Sequence, residues 1–72
     1  MKKIVFIHVN LIPEDTFFED LTDKQVYYLQ KTNKNGVIVY DTIDDFLSAF
    51  NDEAAPSDDS WYGRIIDFSL YE

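Results

Sequence analysis

The sequence predicts a small α+β domain in the order β-α-β-α-β, a single-layer, three-stranded sheet carrying two helices. Three observations predict it. Residues 2–10 are β-rich and apolar on both faces, residues 43–50 repeat apolar side chains at helical spacing, and residues 64–71 alternate apolar with polar ones. At 72 residues the chain is expected to be one compact domain, 1–72.

In the first segment Ile4, Phe6 and His8 point one way and Val5, Ile7 and Val9 the other. A strand apolar on both sides is central and covered twice, and Pro13 is expected to end it. Phe17 and Phe18 then sit among acids, where a short helical turn or ordered loop is expected.

Thr22 opens a helix placed at about 22–32 by its capping signals. Gln25 completes a capping box, Leu21 and Val26 occupy the hydrophobic staple positions, and Asp23 and Lys31 suit the dipole at either end. Val26 and Leu29 face inward on this reading. A hairpin competes with it, because Asn35-Gly36 stands between Val26–Leu29 and Val37–Tyr40. If the helix forms, Asn33–Gly36 is the turn that leaves it, with Gly36 free to adopt positive φ.

Val37–Tyr40 reads as a short second strand, and Asp41 or Thr42 caps a second helix. There Ile43, Phe46, Leu47 and Phe50 form a full apolar stripe. The helix should stop near Asn51–Glu53. Residues 54–60 read as loop, and Trp61-Tyr62-Gly63 leads into a third strand at about 64–71, with Ile66, Phe68 and Leu70 on its buried face.

The helices leave the sheet topology open. An all-parallel α/β arrangement in order 2-1-3 places one helix on each face, by right-handed crossovers. An antiparallel third strand lets both helices share one face and leaves an apolar sheet face free.

Composition limits the function. Apolar residues make up 46% of the chain and aromatics 17%, so a core is available and the chain is no disordered acidic tail. The absence of cysteine rules out disulfides and thiolate metal sites and fits a reducing cytoplasm. The Lys2-Lys3 start before an apolar run is like a secretory signal, but His8, Asn10, Pro13 and Glu14 interrupt it. No stretch approaches the roughly 20 apolar residues of a membrane span. The expectation is a cytoplasmic protein without membrane contact. A small core without staples also suits a homodimer.

Charge is divided unevenly. Residues 1–34 carry five acids and five bases; residues 35–72 carry nine acids and one base, Arg64, which gives the net −8. Direct nucleic-acid binding needs clustered Lys and Arg, and the lysines here are scattered. No catalytic motif is present, so the chain is expected not to be an enzyme. His8 is the only histidine, and the two glycines are too far apart to cradle a phosphate. His8 is expected to be a partly buried core residue with one hydrogen-bond partner. The oxygen-rich run Asn51–Asp59 lacks the EF-hand spacing, and no metal or other cofactor is expected.

The acids differ in how well local structure explains them. Asp41, Asp44 and Asp45 lie at a helix start, where each contributes about 0.3–1 kcal/mol through the dipole. Asp52 and Glu53 lie at the helix end, where the same effect is unfavourable, and Asp58 and Asp59 add like charge nearby. Trp61 and Tyr62 follow, with Arg64, all types enriched at binding hot spots; in the core-closing alternative, Trp61 seals one end and Arg64 answers nearby carboxylates. The candidate binding patch is therefore Asp52, Glu53, Asp58, Asp59, Trp61 and Tyr62.

The functional expectation is a small acidic protein-binding or regulatory module that docks a basic protein surface. The alternatives are a self-associating structural protein and a nucleic-acid mimic that inhibits a DNA-binding protein. Mimicry faces a spacing problem. The helix from Asp41 to Asp52 runs roughly 16 Å and carries four acids, about one per 4–5 Å, against about one charge per 1.7 Å in duplex DNA.

Overall fold

A computed structural model describes all residues, Met1–Glu72. Strand β1 (Lys2–His8) is central in a three-stranded sheet of order β2-β1-β3, flanked by β2 (Val37–Tyr40) and β3 (Trp61–Asp67). Helix α1 (Asp23–Thr32) precedes β2, and helix α2 (Ile43–Asn51) joins β2 to β3.

Both outer strands run antiparallel to β1. The strand order is that of the parallel arrangement, but the directions are not. The ends of the connections explain why. His8 N–H donates to the Gly36 carbonyl and Val9 N–H to the Ser60 carbonyl, each at 2.8 Å, so β2 and β3 both begin beside the end of β1. Residues 9–36 return the chain to the end it left, which permits antiparallel pairing alone. Helix α2 does cross over: it carries the chain from β2 to β3, which are parallel to one another with β1 between them.

The helices do not share a face. On one side α1 lays Val26 and Tyr27 against Val5 and Ile7 of β1 and Ile66 of β3; with Phe18 and Phe68 these form the buried core. Leu29 and Val39 pack against it as half-buried partners. On the other side Phe46 of α2 stacks on Phe6, with ring centroids 5.4 Å apart, and meets Tyr40 edge-on. Every fully buried residue therefore lies on the α1 side.

The first helix forms and the hairpin does not. The Thr22 hydroxyl accepts from Gln25 N–H at 3.1 Å, and the Gln25 side-chain oxygen accepts from Thr22 N–H at 2.7 Å, a complete capping box. Gly36 takes φ +83° in the turn that follows. Thr42, not Asp41, caps α2, its hydroxyl accepting from Asp45 N–H at 3.0 Å. Asp41 instead pairs with Lys3 at 3.2 Å.

Two strand boundaries differ from expectation. Strand β1 stops at His8 because the His8 ring caps a 3₁₀ turn over Val9–Leu11, accepting from Asn10 N–H. Strand β3 begins at Trp61 and ends at Asp67, three residues earlier than expected at the start and four at the end. The Asp67 carboxylate accepts from the Ser69 N–H and hydroxyl, which turns the chain into a 3₁₀ segment at Phe68–Leu70. Phe68 remains in the core, and Leu70 turns out to solvent. No helix is long and apolar enough to cross a membrane.

Candidate functional site

The end of α2 places two acids where the backbone disfavours them. Ala54 N–H donates to Ala49 O at 2.8 Å and Glu53 N–H to Phe50 O at 3.1 Å, the paired bonds of a Schellman ending. This ending needs a left-handed residue, normally glycine, and Glu53 fills it at φ +58°. Asp52 is the C-cap. Both carboxylates face the negative end of the helix dipole, and Glu53 adds the steric cost of the left-handed region, about 1–2 kcal/mol. No base offsets them. The ion pairs of the chain are Met1–Asp67, Lys3–Asp41 and Arg64–Asp23. Asp44, Asp45, Asp52, Glu53, Asp58 and Asp59 thus have no cationic partner.

Asp58 has a local role as well, since it accepts from Ser60 N–H at 2.9 Å and shapes the approach to β3. Asp59 is exposed beside it.

The strand then separates the two aromatic candidates. Successive residues point to opposite faces. Trp61 lies on the α2 side, edge-on to the His8 ring at 5.0 Å. Tyr62 lies on the α1 side, stacked on Phe18 at 5.2 Å. The Asp58–Asp59 pair therefore leads along the chain to Trp61 on the α2 side, while Tyr62 belongs to the opposite surface.

Arg64, the only base after Lys34, is turned inward. Its guanidinium donates to the carbonyls of Leu21 at 2.6 Å and Phe18 at 2.9 Å, approaches Asp23 at 3.3 Å, and lies 4.6 Å over the Phe18 ring. It fastens the 3₁₀ turn at Phe18–Asp20 and the start of α1 to β3.

The candidate patch Asp52, Glu53, Asp58, Asp59, Trp61 and Tyr62 lacks the aliphatic part of the surface. The α2 stripe is not covered along its width. Phe46 is half-buried, but Ile43, Leu47 and Phe50 are 57%, 47% and 56% exposed. Across the sheet Ile65 is 53% exposed on the same side. The reason is lateral placement. Helix α2 rests on β1 and β2, and β3 is left bare. Gly63 contributes no side chain there, and the Phe6 ring occupies the space where its Cβ would be, 2.7 Å from Cε1. The signal was present in the sequence: four large apolar residues on a nine-residue helix exceed what one narrow contact can bury.

Asp67 is the one carboxyl whose titration is clearly shifted. Its pKa is lowered from 3.8 to about 2, first by the Ser69 hydroxyl hydrogen bond and then by that of the Met1 ammonium at 2.9 Å. No three metal-ligating side chains converge anywhere in the chain.

Fold and surface together define the class: a small antiparallel α+β domain with one acidic, apolar-exposed side. No protein-family model matches the chain, nor does any curated protein or solved structure.

Proposed function

We propose that this protein is a small, non-enzymatic binding module of the cytoplasm that docks a basic protein surface through its α2 side. The observation that carries the reading is the exposed row Ile43, Leu47 and Phe50, continued by Ile65, beside six carboxylates with no cationic partner. Contiguous exposed apolar surface rimmed by polar groups is characteristic of interaction sites. The rim sets the partner's sign: acids without internal partners favour lysine- and arginine-bearing surfaces and speed their approach. Glu53 supports the same reading, because strained backbone tends to gather at functional positions.

Asp52, Glu53, Asp58 and Asp59 act as the steering rim, Leu47 and Phe50 as the apolar contact, and Trp61, on the same side of the sheet, as an aromatic anchor. Tyr62 serves the opposite side, on Phe18.

Trp61 is the only tryptophan, so its fluorescence reports on this corner without labels. The test is a titration with a lysine-rich amphipathic peptide. Binding is expected for the native protein and should weaken by about tenfold or more in the variant carrying Asp52→Asn, Glu53→Gln, Asp58→Asn and Asp59→Asn. Equal binding by the two proteins would remove the acidic corner from the site.

A further inference from the structure

The two edges of the sheet are not equally protected. Natural edge strands are kept from pairing by shortness, by lysine or proline, or by bulges. Strand β2 has four residues and is short. Strand β3 has seven, with no lysine and no proline, its one inward charge, Arg64, is taken up by the Leu21 and Phe18 carbonyls, and it pairs with β1 in unbroken register from Asp67 to Trp61.

The register also shows which backbone groups of β3 are free. Val9 N–H donates to Ser60 O and Phe68 N–H to Met1 O, at the two ends of the ladder. In an antiparallel pair, residues alternate between bonding the neighbour and facing away. Tyr62, Arg64 and Ile66 therefore bond to β1, while Trp61, Gly63, Ile65 and Asp67 present N–H and C=O outward. Their side chains lie on the α2 side, the side left bare.

We propose that this edge accepts an extended segment of the partner as a fourth strand, with alternating apolar and basic side chains. The inference rests on the docking function proposed above and specifies its mode. Strand addition takes affinity from main-chain bonds and specificity from alternate side chains. Partner side chains directed to the α2 side meet Ile65 and, at Gly63, the Phe6 ring that lies across it, which favours apolar residues. Those directed to the α1 side meet the 3₁₀ turn that Arg64 holds to β3, whose Glu19 and Asp20 are exposed and without ion-pair partners. That charge selects basic residues.

The test compares two peptides of equal composition, one alternating lysine with valine and one with the lysines and valines in separate blocks. Trp61 fluorescence reads binding, and amide hydrogen exchange reads its mode. In the free protein Gly63 and Ile65 amides should exchange faster than those of Tyr62 and Arg64. The alternating peptide should slow Gly63 and Ile65 by about tenfold or more, and bind more tightly than the block peptide. The Ile65→Pro variant should lose this binding, because its N–H faces outward and proline there blocks the edge without removing a ladder bond. If that variant does not fold, the exchange result on the native protein decides alone. Binding without slowed exchange at Gly63 and Ile65 would overturn strand addition and leave the docking function standing. Failure of both peptides to bind would overturn the two together. Protection of those amides that rises with protein concentration alone would overturn the proposal in favour of a second copy at the edge.

Discussion

The ring of Phe6 lies across the backbone of Gly63, with its Cε1 only 2.7 Å from where a Cβ on residue 63 would sit. Gly63 is thus required for close approach, not for a turn. Phe6 is in turn stacked on Phe46, which also meets Tyr40 edge-on, so Phe6 is part of the aromatic cluster that holds α2 to the sheet. Gly63→Ala should destabilise by about 1–3 kcal/mol, the usual range for overpacking. Urea denaturation checks this. Phe6→Leu in the same chain should recover part of the loss, because the smaller side chain clears the new methyl group.

Arg64 predicts a second stability effect. Removing its guanidinium takes away a donor from the Leu21 carbonyl and leaves the Phe18 carbonyl with the Leu21 N–H alone, at a partly buried site. Arg64→Ala should cost about 2–3 kcal/mol, in the range of hydrogen bonds to charged groups. Arg64→Lys should lose less, yet not recover fully, since an ammonium lacks the fork that reaches both carbonyls. Thermal melts of the two variants would show this order.

The two faces of the sheet should respond differently to truncation. Ile66 is buried in the core, and Ile66→Ala should cost about 2–5 kcal/mol. Leu47 is half exposed on α2, and Leu47→Ala should change stability by no more than about 0.5 kcal/mol. Binding to a basic peptide should show the reverse order, with Leu47→Ala weaker and stability preserved.

Glu53 links strain to the acidic corner. Glu53→Gly should stabilise by about 1 kcal/mol, because glycine adopts the left-handed helix ending without steric cost. The same substitution should weaken basic-peptide binding. A stabilised variant with weaker binding separates the two roles of this residue in one experiment.

Asp67 sets a pH dependence. Its folded pKa is about 2, below the ordinary value of 3.8. The deprotonated form is therefore favoured by folding, and the contribution is fully present above pH 3.8 and lost as the pH falls towards about 2. The stability difference between the native protein and Asp67→Asn should be constant near neutrality and shrink through that window. Urea midpoints measured along the pH series would follow it.

Much of the fold was legible because local signals agreed. Thr22 with Gln25, Gly36, and the periodicity of Ile43 to Phe50 each fixed an element. Strand direction was not legible. It depends on where the 9–36 connection ends, and no residue in that connection signals it. The end of β3 was missed because Asp67 and Ser69 continue the alternation while their hydrogen bonds turn the chain. At the site, the cost of Asp52 and Glu53 at a helix end could be argued from sequence. The bare face over β3 could not, since it arises from α2 resting on β1 and β2 and from Phe6 filling the place above Gly63.

The proposed docking of a basic partner makes the α2 side, with its acidic rim, the surface to watch on binding. Amide and methyl NMR shifts during titration with the lysine–valine peptide test it most directly, at about 0.01 M and about 1 M ionic strength, where the screening length falls from about 30 to about 3 Å. Docking on the α2 side should give shifts centred on Leu47, Phe50, Trp61 and Ile65, largely lost at high salt. Shifts centred instead on α1, or unchanged by salt, would contradict it.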